Sequence, residues 1–245
     1  MKQLAEDFKG IRRKMERRLG GCTMERTIRV TGKGKLSVKP DTIRLIMTIE
    51  GMQEEYDMAL AQSAAMTEEL KELFVKLDFE REEVKTLSFN VSTEYESYQA
   101  KDKSWKRRFE GYKFTHRMKV EFSADNKRLG KVLYTLGHSS VRPEFHIEYT
   151  VADPEKCKDA LLENAITDSK RKTDVLTKAA GVKLGNIVTI DYSWAEIDFV
   201  SRPMENLMLA ESCMRCSEED AAYDIDINPD DIDVTDNVTV VWEIR

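Results

Sequence analysis

The stretch IRVTGKGKLSVKPD, residues 28–41, decides how the start of the chain is read, because its G-x-G stands among lysines. A phosphate-binding loop needs G-x-x-x-x-G-K-[ST] or G-x-G-x-x-G leading into a helix, and neither spacing occurs here. The residues instead alternate, and one side carries Ile28, Val30, Gly32, Gly34, Leu36 and Val38. Period-two alternation of this length predicts a half-buried strand.

The two glycines fall on the apolar side of that strand. Glycine inside a strand indicates a bulge, a bend or the close approach of another element, and the pattern leaves these three readings open. Pro40 and Asp41 then predict a turn. A second alternating strand follows, with apolar positions Ile43, Leu45, Met47 and Ile49.

The composition is that of a globular protein of 245 residues, 41% hydrophobic and 34% charged. A chain of this size buries roughly 70–75% of its unfolded surface and needs no disulfide framework. Its net charge of −6 argues against nonspecific binding to duplex nucleic acid. No apolar run approaches the ~18 residues of a membrane span. The four cysteines and the charged first residues, without a secretory signal, favour the cytoplasm.

The periodicity along the rest of the chain predicts the element order β-β-α-β-β-α-β-α-β-β. Helices are expected over residues 58–77, 126–140 and 154–180, the last introduced by an Asp153-Pro154 start. Alternating runs over 84–95 and 112–122 predict a long hairpin interrupted by the charged segment 99–110. Strands are expected at 145–151, 187–194 and 234–244, while 195–229 shows no period. The fold class is therefore α+β, a mixed, largely antiparallel sheet with covering helices.

Several segments together resemble the SIMPL-domain family, a bacterial domain of unknown function. The opening stretch matches its strand, G-x-G, short strand, Pro-Asp and second strand. Further similarities run in the family's order: VKTLSFNVSTEYES (84–97), GYKFTHRMKVEF (111–122), KAAGVKLGNIVTI (178–190) and VTDNVTVVWEIR (234–245). Thr93 stands where the family usually has proline. The resemblance covers about residues 26–245 and implies oligomeric assembly, a role in stress defence and, for a eukaryotic member, an association with kinase signalling.

The expected domain organisation follows from this resemblance. Residues 1–23 form an N-terminal extension and residues 24–245 a SIMPL-like domain. One division of that domain joins 24–98 with 155–245 and sets 111–152 apart. A polar insertion occupies 195–229, where the chain departs from the family. Many bacterial relatives carry export signals that this sequence lacks, so a periplasmic role does not transfer.

Cys213 and Cys216 form the sharpest local motif, a CxxC that can hold half of a zinc site or act as a redox dithiol. The sequence contains no second CxxC and no H-x₃₋₅-H to complete four zinc ligands. His116, His138 and His146 are not spaced as metal ligands. Packing cysteines are therefore favoured over a redox or metal function, and no catalytic residue, metal or cofactor is predicted.

A basic cluster interleaved with aromatics lies in the charged segment of the hairpin. Such a pattern can bind single-stranded nucleic acid by stacking and charge, or simply face water at a hairpin tip. The alternative partner is the acidic run near the C-terminus, within one chain or between chains. The candidate interaction residues are Lys101, Lys103, Trp105, Lys106, Arg107 and Arg108.

Two functions from different classes remain. The first is a self-associating interaction or scaffold protein without chemistry of its own, a homo-oligomer that needs neither membrane nor nucleic acid. The second is a small redox or metal-binding protein acting through Cys213 and Cys216. The absence of any catalytic motif and the family resemblance favour the first.

Translation is predicted to begin at Met24, because the alternation starts at Ile28 and residues 1–23 have no link to it. Gly20 and Gly21 can be encoded by a ribosome-binding sequence shortly before Met24. Intact mass of the natively expressed protein checks this prediction, and a mass that includes residues 1–23 would contradict it.

Overall fold

The structure is a computed structural model, and it describes residues 26–100, 103–192, 197–202, 216–217, 222–223 and 225–245. Its main elements alternate as the sequence predicts, so the α+β class is confirmed. The strands are β1 (Thr27–Val38), β2 (Thr42–Gln53), β3 (Lys85–Gln99), β4 (Trp105–Ser123), β5 (Glu144–Thr150), β6 (Leu184–Tyr192), β7 (Val200–Ser201), β8 (Cys216–Ser217), β9 (Ala222–Tyr223) and β10 (Ile232–Ile244). The helices are α1 (Tyr56–Lys76), α2 (Asn126–Gly137) and α3 (Pro154–Ala180), with a 3₁₀ turn at Arg81–Glu83.

The charged segment 99–110 does not interrupt the hairpin as far as the sequence predicts. β3 continues to Gln99 and β4 already begins at Trp105, and these two residues pair across the ribbon. Charged side chains are compatible with a strand that is exposed to water on both faces. The high density of charge in this segment therefore led to the wrong prediction that the strands end there. Short strands β7, β8 and β9 also add to the predicted order, within the segment 195–229.

The described residues fall into two compact units. The larger contains the described parts of 36–157 and 197–234, and the smaller contains those up to residue 35, of 158–196 and of 235–245. The larger unit is built on a five-stranded sheet in the order β3-β4-β2-β5-β7. The smaller unit is built on a three-stranded sheet in the order β1-β10-β6.

The core of the larger unit lies between its sheet and the helices α1 and α2. Alternate residues of β2 face it, and Ile43, Leu45 and Met47 are fully buried. Leu70 and Phe74 of α1 are equally buried and pack against them. Burying one such side chain contributes roughly 1.5–3 kcal/mol, so this cluster holds the helices on the sheet.

Part of the polar segment 195–229 joins the same core in a way the sequence analysis missed. Tyr223, Ile225 and Ile227 alternate with acidic and polar residues and pack against the core cluster. Gly130 of α2 makes room for this segment, because a Cβ there would overlap the carbonyl oxygen of Tyr223. Asn126 donates a 3.2 Å hydrogen bond to the Ile227 carbonyl oxygen.

In the smaller unit, α3 lies unusually close to β1. The buried face of α3 carries a residue every four positions, and most of these are small: Leu161, Ala165, Ser169, Thr173 and Thr177. A Cβ on Gly32 would overlap the carbonyl oxygen of Ala165, and one on Gly34 that of Leu161. The G-x-G therefore serves the close approach of a helix, which is the third of the readings that the sequence left open.

Three side chains of α3 bond to the outer edge of β1. Ile244 of β10 donates to the Arg26 carbonyl oxygen, so the backbone groups of even-numbered β1 residues face β10 and odd-numbered ones point away. Three of those outward groups are bonded by α3: Lys33 N–H donates to Asp168 Oδ2 at 2.9 Å, Lys172 Nζ donates to the Thr31 carbonyl oxygen at 3.0 Å, and Asn164 Nδ2 donates to the Lys35 carbonyl oxygen at 3.1 Å.

These bonds also set the charge state of Asp168. The Lys172 ammonium, the Lys33 N–H and the Arg171 guanidinium hold the pKa of this carboxyl far below its usual range. Asp168 therefore stays a charged acceptor for β1 at any moderately acidic pH. Because α3 presents Asn164, Asp168 and Lys172 at four-residue intervals, one helix face bonds the outer edge of β1 from Thr31 to Lys35.

We expect Gly34→Ala to lower the free energy of unfolding by at least about 2 kcal/mol. The new Cβ would overlap the backbone of α3, which cannot move aside by changing a rotamer. Gly137→Ala is the matched control, since its Cβ would lie 3.3 Å from the Tyr223 hydroxyl oxygen, a movable side-chain tip. That change in a helix should be neutral or stabilising by up to about 1 kcal/mol. Urea denaturation of both variants checks the difference, and equal midpoints would contradict the close approach.

Candidate interaction site

The β3–β4 hairpin extends beyond the sheet that supports it. β2 pairs with β4 only as far as Gln53, which lies opposite Tyr112. At that point the backbone of Gly111 approaches Gln53 closely, and a Cβ on Gly111 would lie 2.6 Å from the Gln53 carbonyl oxygen. From there outward, residues 94–100 and 103–111 form a two-stranded ribbon, called here the hairpin arm.

The tip of the arm is closed by a short turn. Lys103 N–H donates to the Ala100 carbonyl oxygen, and Ala100 N–H donates to the Ser104 carbonyl oxygen, both at 2.8 Å. Lys103 has a φ of 63°, a left-handed conformation that reverses the chain here. Lys101 lies outside the described residues.

The register of the arm separates its side chains onto two faces. Directly paired residues share a face, and successive pairs alternate. One face carries the pairs Gln99–Trp105, Ser97–Arg107 and Tyr95–Phe109, and is called here the aromatic face. The opposite face carries Tyr98–Lys106 and Glu96–Arg108, with an ion pair of 2.6 Å between Arg108 and Glu96.

The rings near the base of the aromatic face form a continuous series of edge-to-face contacts. The centroid distances are 5.8 Å from Tyr95 to Phe109, 5.2 Å from Phe109 to Tyr112 and 5.3 Å from Tyr112 to Tyr56 at the start of α1. The guanidinium of Arg107 lies over the Tyr95 ring at 4.9 Å. Each aromatic pair contributes about 0.5–1.5 kcal/mol beyond area burial, so these rings are held in place rather than free.

These ordered rings remain accessible. The exposed fractions are 45% for Tyr95, 42% for Phe109, 50% for Tyr56 and 73% for Trp105. Large exposed apolar surfaces that are already ordered are typical of interaction sites. Tyr56 and Tyr112 were not among the candidate residues from the sequence. Their role depends on a contact between α1 and β4, and only the alternation through Tyr112 hinted at it.

The predicted basic cluster does not form one patch. Lys103 lies in the turn, Arg107 stacks on the aromatic face, and Lys106 and Arg108 lie on the opposite face. Glu96 forms an ion pair with Arg108 and neutralises its charge. The arm is therefore an aromatic surface with a basic rim.

Of the four cysteines, only Cys157 and Cys216 lie in the described residues. Cys213 lies outside the described residues, and Cys216 stands in β8 opposite Tyr223. Cys157 is a free thiol whose pKa is raised by burial and by the nearby carboxylates of Asp153 and Asp41. Within the described ranges, no group of three or more His, Cys, Asp or Glu lies where it could hold a metal ion.

His116 has a structural position in the core of the larger unit. Its Nδ1 lies 3.0 Å from Thr67 Oγ1, and its Nε2 lies 2.8 Å from Thr86 Oγ1. The Thr67 hydroxyl donates its own hydrogen to the Ser63 carbonyl oxygen, so Nδ1–H must be the donor to Thr67. Nε2 then accepts from Thr86, and both ring nitrogens are satisfied in the neutral form.

The polar face of the larger sheet carries a network of ion pairs. Arg44 contacts Glu121 at 2.6 Å and the buried Glu148 at 3.6 Å, and Arg202 contacts Glu148 at 2.7 Å. Burial alone would raise the pKa of Glu121, but its bonds from Arg44 and Lys119 lower it. These charges compensate one another, which suits a structural network.

The fold and the arm together define an α+β protein that presents an ordered aromatic surface. A family model described as SIMPL, protein of unknown function (DUF541), matches residues 28–242. The chain therefore belongs to the SIMPL family, as the sequence motifs indicate. A search of curated proteins found no match. In the part of the chain that the structure describes, no helix is long and apolar enough to cross a membrane.

We expect His116 to make stability fall with acidification. Burial and the nearby Lys71 charge lower its pKa below 6.5 in the folded state, so the unfolded chain binds the proton more readily. The stability that neutral His116 contributes is therefore present above pH 6.5 and is lost as the pH falls from that value through the lower pKa of the folded state. In His116→Gln, the free energy of unfolding should decline less between pH 7.5 and pH 5.5, as urea titrations will show.

The control for that experiment is His138→Gln, which removes an exposed imidazole that bonds the Tyr134 carbonyl oxygen and stacks on the Tyr134 ring at 4.1 Å. This variant shows how the loss of an exposed histidine changes the pH dependence of the free energy of unfolding. An equal change of slope in both variants would contradict the assignment to His116.

Proposed function

We propose that the protein is a non-enzymatic, self-associating scaffold whose hairpin arm packs against a second copy of the chain. The observation that carries this proposal is the aromatic face of the arm, whose rings are ordered by mutual contacts and yet exposed. A two-stranded ribbon is marginal in water by itself and gains stability when a surface covers it.

The size of the aromatic face suits part of a stable interface. Burial of a whole aromatic side chain removes about 150–250 Å² from water, so the half-exposed rings of Tyr56, Tyr95, Trp105 and Phe109 offer roughly 100 Å² each. That is about half of the ~800 Å² that each partner contributes to a standard interface. Tyr, Trp, Phe and Arg are also enriched in the centres of interfaces, where most of the binding energy lies.

Charge favours a second copy as the partner. The chain has a net charge of −6, whereas Lys103, Lys106 and Arg107 give the arm a basic rim. Exposed acidic residues are available in the same unit at Asp226, Asp230, Asp231 and Asp233. Such complementary rims direct the register and speed the encounter of two copies more than they add affinity.

The alternative is a small redox or metal-binding protein that acts through Cys213 and Cys216. It is less favoured, because the chain has only four cysteines and the described residues include no metal cluster. Thiol titration with and without a chelator tests it. A role in stress defence, a cytoplasmic compartment and a bacterial origin stay predictions from the sequence.

Deletion of residues 99–110 should reduce the mass of the assembly in sedimentation velocity. Glu94 lies opposite Gly111, so Tyr95 to Tyr98 can close the shortened hairpin as a four-residue loop. The smaller change Trp105→Ser, Phe109→Ser removes two rings of the aromatic face and should weaken association at least tenfold, since central interface aromatics often contribute 2 kcal/mol or more.

The matched control is Lys106→Ser, Arg108→Ser on the opposite face of the same ribbon. It should leave the assembly mass at moderate salt nearly unchanged, because rim charges act mainly on encounter rates. A strict monomer at micromolar concentrations in low and moderate salt would sink the scaffold proposal, as would equal effects of the two double variants.

A further inference from the structure

The three-stranded sheet of the smaller unit has two edges that the fold treats differently. At the β1 edge, the α3 side chains Asn164, Asp168 and Lys172 bond three outward backbone groups. At the other edge, β6 pairs with β10 on one side, and no described strand pairs with its other side. An unpaired row of backbone N–H and C=O groups is a template for another strand.

β6 has the apolar composition that is typical of an interior strand, although its central side chains are exposed. Ile187, Val188 and Ile190 are exposed by 45%, 42% and 52%. Proteins usually protect an edge with lysine, proline, an inward charge or a bulge. Between Leu184 and Tyr192 there is neither lysine nor proline, and Asp191 near one end is the only charged residue.

β6 does contain irregularities of pairing. One lies between the pairs Val241–Thr189 and Trp242–Ile187. The other lies between the pairs Trp242–Ile187 and Ile244–Leu184. Bulges bend a strand, increase its local twist and disrupt its ladder locally. The apolar side chains beside these bulges remain in water, so this protection is incomplete.

We propose that β6 pairs antiparallel with β6 of a second copy, about a two-fold axis at Ile187, so that two three-stranded sheets join into one. The partner is identified by self-complementarity. In this register Ile187 lies opposite itself, Leu184 opposite Ile190, and Lys183 opposite Asp191. A two-fold axis repeats each contact, which makes the interface isologous.

Two charges favour this partner, Asp191 near one end of β6 and Lys183 immediately before the other end. Lys183 and Asp191 are exposed, and neither forms an ion pair within the described part of the chain. A two-fold axis at Ile187 places two Lys183–Asp191 pairs at the ends of the strands. A shift by one residue in either direction moves both pairs out of alignment.

The backbone also permits this register. Lys183 and Arg245 exchange hydrogen bonds in both directions, so the backbone groups of Lys183 point toward β10. Asp191 lies opposite Thr239, which is six residues from Arg245 and therefore faces β6 as well. Lys183 and Asp191 thus have the same orientation, as residues directly opposed in an antiparallel ladder require.

This interface adds a second contact to the self-association proposed above and does not depend on the hairpin arm. The experiment therefore uses the protein with residues 99–110 deleted and all four cysteines changed to serine. In that background Ile187→Cys should form a disulfide-linked dimer on mild oxidation, because the two Cα atoms on the axis would lie about 4.5–5.5 Å apart.

Thr189→Cys in the same background is the matched control. Its two copies would lie about 14 Å apart across the axis, four residue rises, which is too far for a disulfide. Cross-linking of Ile187→Cys at least tenfold faster than of Thr189→Cys supports the interface. Equal rates, or no dimer with either variant, overturn it.

Charge reversal tests the same register without oxidation. Asp191→Lys should weaken dimerisation of the arm-deleted protein, and the added change Lys183→Asp should restore it. Loss without restoration, or no loss, overturns the proposal. An assembly mass unaffected by the arm deletion counts only against the arm, whereas the cysteine and charge variants report only on β6.

Discussion

The close contact between α3 and β1 is the constraint on which the smaller unit depends. Gly32 and Gly34 remove two side chains from the apolar face of β1, and Ala165 and Ser169 keep the facing helix surface small. The backbones can then approach closely enough for Asn164, Asp168 and Lys172 to reach the outer edge of the strand. A Cβ at either glycine would overlap a carbonyl oxygen of this helix, so the present separation of α3 and β1 requires glycine at both positions.

This arrangement explains why the two edges of one sheet differ. α3 is placed over β1 and β10, where Ala165 packs with Val238 and Val240. In β6 only the ends, Leu184 and Tyr192, pack against this cluster, and Ile187 and Ile190 between them are exposed. Side chains of α3 therefore bond the β1 edge, whereas no described strand pairs with the outer side of β6.

The arm of the larger unit arises from a mismatch of strand lengths. β2 ends at Gln53, while β3 and β4 continue to Gln99 and Trp105. The face that is covered by α1 near Phe114 becomes the aromatic face once the covering helix has ended. The same alternation that builds the core thus produces an exposed surface of the same character.

Much of the architecture could be predicted from the sequence, because local periodicity reports which side of an element is buried. Alternation over residues 28–38 and 43–49 predicted β1 and β2, and the Asp153-Pro154 start of α3 is confirmed by an Asp153 cap on the Lys156 N–H. The order of family motifs predicted SIMPL membership, which the family model confirms. Predictions failed where composition misled, as at 99–110, where charge hid a continuing ribbon.

The sequence by itself determined the class of fold, the order of its main elements and the aromatic content of the hairpin. Only the tertiary structure decided what the glycines do, since their partners Leu161 and Ala165 are more than a hundred residues away. It also decided which rings are held together, which edge of the small sheet is sealed and where Tyr223 packs. These outcomes depend on contacts between distant segments, and a local pattern shows that a face will be buried without showing what will cover it.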